Sequence, residues 1–318
     1  MNKYLIFRTD RIGDFLISLI LIKSIKMVDS KSLITVVASE KNYQYIKSFN
    51  IIDEVILLKG GFFNKLKLFF LLRKQSFDTT IVHDGKTRSK FISFFLSSKN
   101  KYFSNINKFS SYIDEIKYIL KNLKITFNDN LLDILNDRDY SKIYTPKKPY
   151  ILIHFDEKWI FDQYIKTYSN IEPSLKELET FLTSLAERVN KKIIITSGVN
   201  TPKILKNFFE NNSDENIILL ENLNFFHLES IIVNASLLIS CHGAVSHVAA
   251  AKSIEQIDVI DKSYNYSKWS KHFRNYKSIE RKNFDILYKE MILYFSGGIK
   301  CMCSYALSRL LKIFLLAP

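Results

Sequence analysis

The turn Arg11-Ile12-Gly13-Asp14 carries the residue pattern with the plainest chemical use in this sequence. It follows an apolar run at residues 3–9 and precedes an apolar stretch at 15–27, so a strand, a tight turn and a helix place the Asp14 carboxylate at a strand's carboxyl edge. Gly13 allows close backbone approach or a positive φ. A helix N-terminus there attracts anions and keeps a carboxylate ionised. An ionised carboxylate in a cleft can take the proton from an attacking hydroxyl. The other use of an aspartate at this point is to cap the helix, and spacing alone does not choose between the two.

The elements that position this turn repeat one grammar. Strands are expected at 33–38, 54–58 and 79–83, and helices at 40–49 and 62–74. Residues 136–149 are polar, with two prolines and several lysines, and read as a linker. The grammar then resumes, with strands at 150–154, 192–197, 217–220 and 236–240 and helices at 173–189, 201–209, 227–234 and 245–251. Apolar strands alternating with helices argue an α/β fold with parallel sheets covered on both faces. The expected division is residues 1–140, residues 141–290, and a tail at 291–318 that mixes leucines with Arg309 and Lys312. That tail suits a packed helix or a membrane-interfacial one. In open parallel sheets ligands sit at the carboxyl ends of strands, so the cleft between the halves is the expected site.

Bulk properties narrow the classes. A chain of 318 residues fits two domains. The +14 formal charge predicts attraction to a polyanion, whether nucleic acid, phosphorylated sugar or acidic membrane. The 25 Phe and 17 Tyr lie mostly in apolar stretches and read as core rather than as stacking platforms. Cys241, Cys301 and Cys303 form neither a disulfide framework nor a zinc pattern, so no metal is expected. Arg8, Asp10, Arg11 and Asp14 break any signal-peptide profile, and no run is long and uncharged enough to span a bilayer, which makes the cytoplasm the expected location. With eight glycines and no Gly-x-Gly-x-x-Gly after a strand, a nicotinamide enzyme is disfavoured.

Three segments carry a resemblance, in order, from about residue 3 to about 260. FRTDRIGDFLISLILIKSIK, FDTTIVHDGKTRSKFISFFL and HLESIIVNASLLISCHGAVSHVAAAKS resemble the opening, the middle Arg-Ser segment and the C-terminal signature of the ADP-heptose:lipopolysaccharide heptosyltransferase family, glycosyltransferase family nine. The resemblance implies a GT-B type architecture, two Rossmann-like domains facing each other across a cleft, and metal-independent inversion at a sugar's anomeric carbon.

It also implies roles. Asp14 matches the family's general base. The turn through His242, Gly243 and Ala244, with Ser246 and His247 in the following helix, matches the segment that meets the donor's nucleotide diphosphate. Such a junction offers backbone N–H groups and a dipole end to phosphates. Lys158, in HFDEKW, matches the cation that neutralises the departing diphosphate; the alternative for it is a solvated lysine, and for His247 a packed one. Arg11, Gly13 and Arg88 fall on the acceptor side. Many members have Asp-Ser/Thr-Gly in this turn, where this chain reads Ser240-Cys241-His242-Gly243-Ala244 with no carboxylate, in a register open by one residue, and His242 stands near the place of that Asp; the donor is then ADP-heptose or another nucleotide sugar. The implied partners are that nucleotide sugar and an anionic glycolipid acceptor at the cytoplasmic face of the bacterial inner membrane, without nucleic acid and without a cofactor. The competing reading is a non-catalytic basic α/β protein that binds nucleic acid or another polyanion; no helix-turn-helix, RNA-recognition or zinc-finger pattern supports it.

Overall fold

The computed structural model describes residues 1–295 except Lys142, Tyr144, Thr145 and Lys148. The tail from 296, with Cys301 and Cys303, lies outside the described residues. In the first half β1 (Lys3–Arg8), α1 (Ile12–Val28), β2 (Leu33–Ala38), α2 (Tyr43–Lys47), β3 (Glu54–Leu57), α3 (Phe62–Arg73), β4 (Phe77–Val82), α4 (Thr87–Phe94), β5 (Ser98–Phe103) and α5 (Tyr112–Asn122) follow in turn. The second half holds β6 (Tyr150–Phe155), α6 (Leu175–Val189), β7 (Lys192–Ser197), α7 (Lys203–Asn211), β8 (Ile217–Leu220), α8 (Phe225–Asn234), β9 (Leu237–Cys241), α9 (Ala244–Ala250), β10 (Glu255–Ile260), α10 (Ser267–Ser270) and β11 (Tyr276–Glu280), followed by a helix over 284–295.

All strand pairs are parallel, in two sheets of order β3-β2-β1-β4-β5 and β11-β10-β9-β6-β7-β8. Central strands such as YILIHF are buried on both faces, which is why they read as continuous apolar runs. The edge strands β5 (SKNKYF) and β11 (YKSIE) are polar and half-exposed, and for that reason periodicity does not reveal them. Each sheet reverses its direction of winding once, between β1 and β4 and between β6 and β9.

α1 is buried almost all round, from Gly13 to Ile25, because it lies between the first sheet and the second half of the chain. One apolar core therefore runs through both halves, joining Phe15 and Tyr45 to Leu228, Val245 and Val248. Glu229 of α8 fixes the same junction. It is fully buried and receives the Tyr45 hydroxyl, the Tyr140 hydroxyl at 2.8 Å and Arg138 Nε at 2.8 Å. Burial raises the Glu229 carboxyl, and the Arg138 guanidinium and two hydroxyls oppose that rise.

Two expectations need correction. The helix over 284–295 crosses the boundary set at residue 290, with Met291 and Ile292 buried in the second half's own core. Most phenylalanines of α3 and α4 are not core: Phe69 packs against the core, but Phe62, Phe63, Phe91 and Phe94 face solvent.

Candidate active site

One side of the site is built where the first sheet changes direction, at the loops after β1 and β4. Arg8 ends β1 and is fully buried; its Nε donates to Ser18 Oγ (2.6 Å), and its Nη1 donates to Asp10 Oδ2 (2.8 Å) and the His83 carbonyl (2.9 Å). The β4 loop clasps the β1 loop in return. Lys86 Nζ donates to the Thr9 carbonyl (2.6 Å), Arg88 Nη2 to Thr9 Oγ1 (3.1 Å), and Thr9 Oγ1 to Asp84 Oδ2 (2.5 Å). Burial, with Arg8 adding to it, pushes the His83 imidazole well below its usual range, so it is neutral.

Asp14 is the third residue of α1 and half-buried. It does not cap the helix: the N-cap is Arg11, without a side-chain cap bond, and among the described residues no hydrogen bond or ion pair engages the Asp14 carboxylate. The cations whose titration feels its charge are Arg8, Arg11 and Lys86. Burial pushes the neighbouring Asp10 carboxyl up to about 6; Arg8 pulls it down, and Asp14 and Asp84 push it up again. Asp10 Oδ1 is buried without a partner. Arg11 Nη1 reaches across to the second half and donates to the Tyr164 hydroxyl (2.9 Å).

The opposite side lies where the second sheet changes direction, at the loops after β6 and β9. Lys158 pairs with Asp156, which is itself 3.5 Å from His154 Nε2. Burial opposes both charges of the Lys158–Asp156 pair, yet their attraction prevails: the ammonium is raised and the carboxyl lowered from their ordinary values. Lys158 Nζ stands beside the β9 turn, 2.9 Å from where a Cβ on Gly243 would be, so the glycine leaves room for the ammonium in this position.

His242 has the carboxylate that the turn itself lacks. Asp258, fully buried on β10, sits opposite Ser240 in register and binds His242 Nδ1 at 2.7 Å. Its other oxygen receives Ser240 Oγ (3.0 Å) and Ser246 Oγ (2.7 Å). Ser246, read from sequence as a diphosphate contact, is fully buried and its hydroxyl also accepts from the Gly243 N–H (3.2 Å). It shapes the turn from behind. His247, similarly expected at the donor, is buried and pushed well below its usual range by burial, then by His242 and His272. Its ring packs on Phe273 (5.1 Å) and on Gly13.

Gly13, expected on the acceptor side, is buried against His247 and Ala244. A Cβ on Gly13 would lie 2.8 Å from His247 Cδ2 and 3.4 Å from Ala244 Cα. Gly13→Ala should destabilise the protein by about 1–3 kcal/mol through overpacking. A melting temperature equal to the wild type's would refute this account of the α1–α9 contact.

Among the described residues no group of three or more His, Cys, Asp or Glu side chains converges as a metal ligand set. A shallow cavity of about 590 Å³ opens at the carboxyl ends of β7 and β8, lined by Val199, Thr201, Lys206, Glu221 and Asn222 among others. It shares the sheet edge with Lys158 and the β9 turn.

No family model and no curated protein matches the sequence. Solved structures do. E. coli heptosyltransferase WaaC with ADP superposes with a TM-score of 0.68 at 12% identity, covering 92% of this chain and 99% of that one. The fold is GT-B. A glycosyl transferase of family 9 from Veillonella parvula follows at 0.66, with 13% identity and 94% and 89% of the two chains covered. E. coli ADP-heptose lps heptosyltransferase II gives 0.63, with 11% identity and coverage of 94% and 99%. In this GT-B frame the two changes of winding face each other, with Asp14 on one and Lys158, His242 and Gly243 on the other. Sequence reasoning missed Arg8, Asp10, Asp156 and Asp258. A signal existed for the last: Asp258 is a carboxylate set between Ile257 and Val259 in the buried middle of its strand, EQIDVI.

Proposed function

We propose that this chain is an inverting glycosyltransferase that moves a sugar from a nucleotide-diphosphate donor to a hydroxyl of a lipopolysaccharide-core or related anionic surface glycan, at the cytoplasmic face of the inner membrane. The observation that carries the reading is the facing of an unengaged carboxylate, Asp14, by a cationic turn built from Lys158 and Gly243. The donor nucleoside occupies the cavity beside β7 and β8, with the diphosphate directed toward Lys158 and the N-terminus of α9. Strand spacing makes the path from β8 to β9 about 15 Å, room for an extended nucleoside diphosphate.

Asp14 takes the acceptor's proton. The freed oxygen attacks the anomeric carbon on the face opposite the diphosphate, and the bond from that carbon to the phosphate oxygen breaks. The diphosphate leaves with the electron pair, and its added charge falls on Lys158 and backbone N–H groups, a metal-independent arrangement. His242, held by Asp258 at Nδ1, directs its remaining edge to the donor where many family members present a carboxylate. This contrast makes a nucleotide sugar other than ADP-heptose a full candidate.

The test is a thermal-shift series with nucleoside diphosphates and nucleotide sugars, compared with random duplex DNA at several salt concentrations. A rise in melting temperature with one nucleoside diphosphate, retained at moderate salt, supports transfer. Salt-sensitive binding to DNA with no nucleotide response overturns it in favour of a polyanion-binding role.

A further inference from the structure

Helices α3 and α4 cover the outer face of the first sheet with a thin apolar layer. Leu68, Leu72, Ile92 and Leu96 reach the core beneath. Four large aromatic side chains point away from it: Phe63 is 82% exposed, Phe62 70%, Phe94 67% and Phe91 66%. Ring contacts knit the two helices into one patch, with Phe69 at 6.5 Å and Phe91 at 5.1 Å from Phe95. A surface of clustered exposed aromatic rings is a docking site by the usual measure of soluble proteins.

Charge identifies the occupant. Residues 59–76 and 85–113 contain eleven Lys and Arg and no Asp or Glu. Arg73 lies 5.8 Å from the Phe69 ring, and Lys101 lies 6.0 Å from the Phe94 ring while donating to the Phe94 carbonyl at 2.8 Å. A second copy of this face would bring the same excess of cations against these. A headgroup layer of anionic lipid meets both features at once, phosphates for the lysines and an acyl boundary for the rings.

We propose that the outer face of α3 and α4 docks on an anionic lipid bilayer. Phe62, Phe63, Phe91 and Phe94 enter the acyl boundary while the surrounding lysines stay at the headgroups. The face is tied to the site: α4 starts beside Lys86 and Arg88, which hold the Thr9 loop, and carries Phe94 in its last turn about 12 Å away along the helix. Docking therefore presents a lipid headgroup to the Asp14 cleft. It deepens the sugar-transfer reading, but the test uses neither donor nor acceptor, so its failure leaves that reading standing.

The experiment uses the full chain with Phe63→Trp or Phe94→Trp and vesicles carrying bromine on the lipid chains. With phosphatidylglycerol mixed into phosphatidylcholine, both variants should show blue-shifted emission and quenching; phosphatidylcholine alone should give neither. Val199→Trp, at a site 94% exposed on the second half, should stay unquenched. The combined Phe62→Ser, Phe63→Ser, Phe91→Ser and Phe94→Ser variant changes only exposed positions and should lower vesicle partition about tenfold or more. Vesicle binding without quenching at 63 and 94 means that another part of the chain docks and overturns the proposal. No binding also overturns it. So does a concentration-dependent blue shift without lipid, which assigns the face to a second copy.

Discussion

Asp14→Asn should lower the rate of sugar transfer about a thousandfold while leaving the melting temperature close to that of the wild type. The amide keeps the shape of the carboxyl but has little capacity to accept the acceptor's proton. Stability should be spared because the wild-type side chain is half-buried, caps nothing and pairs with nothing among the described residues. Release of nucleoside diphosphate in the presence of donor and acceptor reads the effect. A drop in kcat with KM unchanged fits a base that acts in the transition state. The same substitution removes one of the charges that raise the Asp10 carboxyl, so Asp10 should titrate below its value of about 6. Near-normal turnover by Asp14→Asn would remove it as the base and turn attention to Asp10.

Lys158→Ala should lower transfer about a hundredfold or more, because it removes the ammonium that stands against Gly243 of the β9 turn, where the charge of the departing diphosphate would fall. It should also destabilise the fold by about 3 kcal/mol, since Asp156 is left buried without its ammonium. The two losses separate in Lys158→Ala combined with Asp156→Asn. That double variant no longer buries a lone carboxylate and should regain much of the stability, yet stay slow. Recovery of turnover together with stability would show that Lys158 serves only to hold Asp156. The sign with pH is fixed by the lowered Asp156 carboxyl: its contribution to stability is present above the carboxyl's unfolded pKa of about 3.9 and is lost as pH falls toward the depressed folded value. Acid unfolding monitored by circular dichroism should show this loss in the wild type and a smaller one in Lys158→Ala.

The sequence by itself determined the architecture and the place of the Arg11–Asp14 turn within it. Strands buried on both faces must be apolar throughout, so KYLIFR, LITVVA, YILIHF and LLISC announce themselves, and their alternation with helices leaves parallel sheets as the solution. The turn at Arg11–Asp14 is legible for the same local reason, since a strand, a glycine and a helix start are neighbours along the chain. Polar edge strands are not legible, because one neighbour in the sheet and open solvent impose little pattern on them.

Tertiary structure decided what depends on residues far apart in sequence. His242 receives a carboxylate from Asp258 because β9 and β10 lie side by side, sixteen residues apart along the chain. Gly13 is small because His247 of the other half stands against it, and Gly243 leaves room for the Lys158 ammonium beside it. Phe62, Phe63, Phe91 and Phe94 lie in stretches with the composition of a core, but among the described residues no further layer packs over them. Hydrophobicity in a sequence states that a side chain favours leaving water. Whether protein or something else covers it is settled only by which elements the fold brings alongside.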